Sequence, residues 1–156
     1  MGLIAPNRGA AAWSAGLTIV VGGLCFLPLV GRPGYELSQV LTPLATLCGA
    51  ALGAWAPDLR TATRRALWVL LPPLAAACLN GLRIKVCDWE VSLAFHLLMP
   101  MVGGAIGAAW GRAGATLTGR PGRGLALAVA AGLLSLGVSG WRLIFEPPIF
   151  AYDPVF

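Results

Sequence analysis

Charged residues are clustered along the chain and leave long apolar stretches between them. No Asp, Glu, Lys or Arg occurs within 12–30, 37–56, 66–82, 91–111 or 125–141, runs of 19, 20, 17, 21 and 17 residues. A helix rising about 1.5 Å per residue needs about 20 residues to cross about 30 Å of hydrocarbon. The pattern therefore predicts an all-α polytopic membrane protein, a bundle of about five transmembrane helices. The third and fifth runs are short. The fifth lengthens to Phe145 if Arg142 snorkels outward, and the third carries Pro72 and Pro73, so it is expected to kink, begin earlier or enter the membrane only halfway. The uncharged stretch around the first run covers 9–31, 23 residues, longer than the roughly 7 to 15 of a signal-peptide core. It reads as a retained helix. The expected organisation is a transmembrane helical domain over 1–145 and an extracytoplasmic tail over 146–156.

Tryptophans mark the same boundaries. Trp13, Trp55, Trp68 and Trp110 fall at one set of ends, Trp89 and Trp141 at the other, as rings anchored at two headgroup layers would. Basic residues then set the orientation. Arg8, Arg60, Arg64, Arg65, Arg112, Arg120 and Arg123 lie on one side with Asp58, whereas Arg32, Arg83, Lys85 and Arg142 share the other side with five acids. Positive-inside topology makes the first side, and the N-terminus, cytoplasmic.

Composition agrees with the pattern: 58% of residues are hydrophobic and 11% charged, against about 25% charged in a soluble domain. The net charge of +5 is explained by topology, and the arginines are scattered through short segments, so a nucleic-acid partner is discounted. The lipid bilayer is the expected partner, with other membrane subunits or a second copy of the chain.

The most polar island, NGLRIKVCDWEVSLAFH at 80–96, lies in the outer loop between the third and fourth runs. That compartment permits disulfides in bacteria. Cys87 is the candidate reactive thiol, with Cys25 or Cys78 as a disulfide partner; four cysteines allow three full pairings. At least two of Cys25, Cys48 and Cys78 read as apolar fillers. One histidine and no CxxC leave too few ligands for a metal site, and no cofactor motif is present. His96 is the one ionisable side chain inside a run, where such a group is a site hypothesis by default. Hydrogen bonding to a neighbour such as Asn80 is the favoured reading.

Gly137, Val138, Ser139 and Gly140 spell GVSG, which resembles the GxSG motif of rhomboid intramembrane proteases. The resemblance implies Ser139 as nucleophile with His96 as base. In rhomboids, however, the serine precedes the histidine and six helices form the core. Small residues also recur at helix-packing spacing: Gly49 and Gly53 in the second run, Gly103, Gly107 and Gly111 in the fourth, and Ala131, Ser135 and Ser139 in the fifth. They predict close packing within the chain or between chains. A shift of 55 residues superposes Trp13 on Trp68, Gly49 on Gly104 and Trp55 on Trp110, the pattern of two hairpins of parallel orientation. No span holds Asp or Glu, which weakens an ion-driven transporter, and 111–124 reads as a flexible basic linker.

The island's NGLRIKVCDWE, the following LAFHLLMP and the tail's PPIFAYDPVF together resemble the N-terminal membrane region of larger, poorly characterised bacterial envelope proteins. The resemblance implies a membrane anchor or assembly module of the bacterial cytoplasmic membrane, with the chain continuing past Phe156 into an extracytoplasmic domain. A small-solute permease or channel component is the alternative reading, and an intramembrane serine hydrolase a more distant one.

Overall fold

The computed structural model describes residues 8–27, 33–84 and 88–145, and every regular element among them is helical. The elements are α1 (Arg8–Leu24), α2 (Tyr35–Ala54), α3 (Leu59–Arg83), α4 (Trp89–His96), a π-helical segment (Leu97–Met101), α5 (Val102–Thr118) and α6 (Pro121–Phe145). The chain runs from α4 through the π segment into α5 as one rod, Trp89–Thr118. Three of the five rods are long and apolar enough to cross a membrane: Tyr35–Ala54, Leu59–Arg83 and Trp89–Thr118. The first and last contain shorter apolar stretches, Gly9–Leu24 and Pro121–Ser135.

Local chemistry explains where these boundaries depart from the apolar runs. α1 stops at Leu24, short of residue 30: Phe26 and Leu27 donate to Gly23 and Leu24 in a tightened last turn, and Pro28 disfavours helix at the residue before it. α3 begins earlier than its apolar run, one of the outcomes expected for it, because the Asp58 carboxylate caps it, accepting from the Thr61 amide at 2.8 Å. The two prolines inside α3 leave it continuous over 25 residues, so no break occurs there. The expected flexible linker at 111–124 is instead helix, turn and helix. Gly119 takes the left-handed φ of 66° that ends α5, and Pro121 opens α6, where a missing N–H costs nothing.

α2 and α5 form the spine. Thr42 lies against Gly103, Thr46 against Gly107 and Ala50 against Gly111, numbers that rise together, so the helices run parallel. A Cβ at Gly49 would collide with the Gly104 carbonyl, one at Gly53 with Ala108, one at Gly107 with Thr46, and one at Gly111 with Ala50. Backbone thus touches backbone, which only glycine allows. All five predicted packing glycines lie on this internal contact.

The contacts also have a register. A shift of 58 carries Thr46, Gly49, Ala50 and Gly53 onto Gly104, Gly107, Ala108 and Gly111. Under it the contact Gly49–Gly104 exchanges with Thr46–Gly107, and Gly53–Ala108 with Ala50–Gly111. Such exchange is what a local two-fold between parallel helices produces. The packing repeat therefore differs from the 55-residue spacing that aligns the tryptophans.

α1 and α3 pack across the spine. Ala10 and Leu17 share a cluster with Ala45, Cys48, Leu52, Val69 and Leu70, while Val21 and Cys25 meet Leu37, Leu41 and Ala77. α6 is different. Its first turn presses Gly124 onto Gly114 and Ala115 of α5, and beyond it Leu127, Leu133, Leu134, Val138, Trp141 and Phe145 are all exposed.

Candidate functional site

Among the described residues two polar side chains are buried, Ser38 at 0% and His96 at 5% exposed, and they meet. Ser38 heads a series on α2 spaced by four, followed by Thr42 and Thr46. Each hydroxyl donates to the carbonyl four residues back: Ser38 to Gly34 at 2.7 Å, Thr42 to Ser38 at 2.6 Å, Thr46 to Thr42 at 2.9 Å. This satisfies the polar groups locally and keeps the face small enough for α5 to approach.

His96 closes α4 where the rod widens into the π segment Leu97–Met101. Pro100 explains the widening. Its ring would meet the carbonyl four residues back, that of His96, and it has no N–H to offer it. The bulge holds His96 against α2, with Nδ1 3.1 Å from Ser38 Oγ. Ser38 has a single hydroxyl hydrogen: in the tautomer with Nδ1–H, that hydrogen goes to Gly34 and His96 Nδ1–H donates to Ser38 Oγ. One turn away the Tyr35 and Phe95 rings meet edge to face at 5.4 Å, a second link between α2 and α4. Two small voids flank His96. One is lined by Leu17, Leu41, Leu70, Pro73 and Pro100, the other by Pro33, Ala77, Cys78, Trp89 and Ser92. Each is about 10 Å³, about the room of a single water.

This differs from what residue spacing implied. His96 takes its partner from α2, and Asn80 instead accepts from Arg83 Nε at 3.1 Å. Ser139 lies on α6, and its side chain is outside the described residues. Ser38 was not singled out beforehand, although Ser38, Thr42, Thr46 and Ala50 form a small-residue stripe with a spacing of four that could have marked it. A serine at 0% exposure has no room beside it for an acyl substrate. The pair acts as a polar clasp between α2 and the rod.

The island around it is largely structural. Asp88 caps α4 by accepting from Val91 N–H at 3.0 Å. A Cβ at Gly81 would lie 2.8 Å from Pro33 and also crowd the Trp89 ring, so glycine lets that ring seat against α3. The Arg83 guanidinium stacks 5.6 Å from the Phe26 ring. Residues 85–87, including Cys87, and the tail over 146–156 lie outside the described residues. Cys25, Cys48 and Cys78 are free thiols, the first two buried. At the other end, Arg112 Nη1 donates to the Ala56 carbonyl at 2.8 Å, tying the end of α2 to α5. All six tryptophans are exposed, from 37% for Trp89 to 63% for Trp141. No protein-family model, curated protein or solved structure matches the chain.

Proposed function

We propose that the chain is a multi-pass integral membrane protein of the bacterial cytoplasmic membrane. In this reading it crosses the bilayer five times with its N-terminus inside and serves as a membrane anchor or assembly module. The observation that carries the assembly role is α6. Past the first turn, Leu125, Ala128, Val129 and Ala131 are half-buried, but Leu127, Leu133, Leu134, Val138, Trp141 and Phe145 remain exposed, whereas the glycine ridges of α2 and α5 are used up on each other. This reading assigns the α6 face to a neighbouring subunit. A permease is less well supported, because the enclosed voids beside His96 are of single-water size and the prolines of α3 do not interrupt it.

The test is site-specific photo-crosslinking in intact membranes at Leu134 on α6, with Leu98 on the rod as the lipid-facing reference. The expected outcome is a discrete protein adduct at Leu134 and lipid adducts at Leu98. Lipid adducts alone at both would defeat the assembly role. Orientation is tested separately with an impermeant thiol reagent in intact cells: labelling of Cys87 supports the outer placement of its loop, and labelling only after lysis contradicts it.

A further inference from the structure

A groove away from His96 lies on the outward face of α3. Arg60, Arg64, Leu67, Trp68 and Leu71 line it, Met101 closes it from the rod, and it encloses about 530 Å³, within the roughly 300–1,000 Å³ of ligand sites. The spacing of the α3 residues by three and four places them on one helical stripe. The stripe is graded: two cations come first, then an aromatic ring, then aliphatic side chains toward the π segment. From Arg60 to Leu71 the helix rises about 16 Å, about half of the 30 Å hydrocarbon layer. The groove therefore runs from headgroup level to near the midplane, the depth of one lipid monolayer.

Its arginines are not ion-paired among the described residues: neither Arg60 nor Arg64 is in a salt bridge, and the nearby Asp58 carboxylate is occupied by the amide and hydroxyl of Thr61, each at 2.8 Å. The groove mouth also lies at the first turns of α3, where the helix dipole adds positive potential. A zwitterionic headgroup would bring its own cation toward these arginines. A phosphate diester with net negative charge would not.

We propose that this groove is a binding site for one anionic glycerophospholipid, its phosphate held by Arg60 and Arg64 and an acyl chain lying along Leu67, Leu71 and Met101 beside Trp68. The site is separate from the α6 face and does not depend on the assembly role.

The experiment reconstitutes the full chain in phosphatidylcholine vesicles doped equally with either acyl-brominated phosphatidylglycerol or acyl-brominated phosphatidylcholine. It reads the part of tryptophan quenching that disappears in Trp68→Phe. The wild type should prefer the anionic lipid on the order of tenfold, as two arginines at a membrane surface can supply, and the preference should shrink with added salt. Arg60→Gln with Arg64→Gln should bring it near parity, and Arg60→Lys with Arg64→Lys should retain most of it, while Arg65→Gln leaves it intact. Equal quenching by the two lipids in the wild type would overturn the proposal. So would a preference insensitive to salt, or a groove quenched by neither lipid because Leu71→Cys cross-links to a second copy. If the glutamine variant loses its helical circular dichroism, the salt series and the lysine variant decide alone.

Discussion

Ser38 Oγ on α2 and His96 Nδ1 at the end of α4 lie 3.1 Å apart, and they are the two buried polar side chains among the described residues. The contact joins two elements separated by 58 positions and depends on a π bulge around Pro100. Interhelical hydrogen bonds of this kind in membranes contribute about 0.6 kcal/mol on average and up to about 1.7. A double-mutant cycle of Ser38→Ala and His96→Ala, read by unfolding in detergent, should therefore give a coupling in that range. Strictly additive effects would show that the two side chains do not support each other.

The glycine spine predicts a sharp positional contrast. Gly107→Ala places a methyl group into the Thr46 backbone, whereas at Gly132 a Cβ meets nothing within 4 Å. Gly107→Ala should lower the unfolding midpoint, at a cost of about 1–3 kcal/mol for overpacking. Gly132→Ala should be neutral, or slightly stabilising through helix propensity. Similar midpoints for the two variants would remove the backbone contact from the account.

The cap of α3 gives a pH dependence. The Thr61 backbone N–H and side-chain hydroxyl hold the Asp58 carboxyl below its ordinary value of 3.8, with Arg112 adding a smaller pull. A depressed folded value means that the stabilisation is present above the ordinary value and is lost as pH falls through the lowered one. Thermal unfolding of the wild type should therefore show an acid-side loss that Asp58→Asn partly lacks. Parallel pH profiles would mean that the cap does not contribute. The group is fully exposed, so the effect is small.

Much of the architecture was legible from charge spacing alone. Five apolar runs became five helical rods, and Gly103, Gly107 and Gly111 marked a packing face before any partner was known. Other features were hidden for physical reasons. The strength of caps and turns is set by a few atoms: Asp58, Gly119 and Pro121 moved boundaries that hydropathy cannot see, because Arg60 and Arg64 extend a helix as readily as they end an apolar run. The partner of His96 was hidden because depth in the membrane is readable from sequence, whereas the azimuth of a helix is not. Asn80 is expected at a depth similar to that of His96, yet it is Ser38 on α2 that His96 faces. Whether the glycine ridges met each other or a second chain was undecided for the same reason.

The central claim is that α2 and α5 lie parallel within one chain, in contact through their glycines. It is tested by disulfide cross-linking of Thr42→Cys with Gly103→Cys in a background without the four native cysteines, with Thr42→Cys and Ala113→Cys as the antiparallel control. A Cβ at Gly103 lies 3.0 Å from the Thr42 Cγ2 atom, inside the reach of a disulfide. Proteolysis and mass spectrometry should find the first pair joined within a single chain and the control unjoined. Joining of the control, or a first pair linked only between two chains, would contradict the parallel spine.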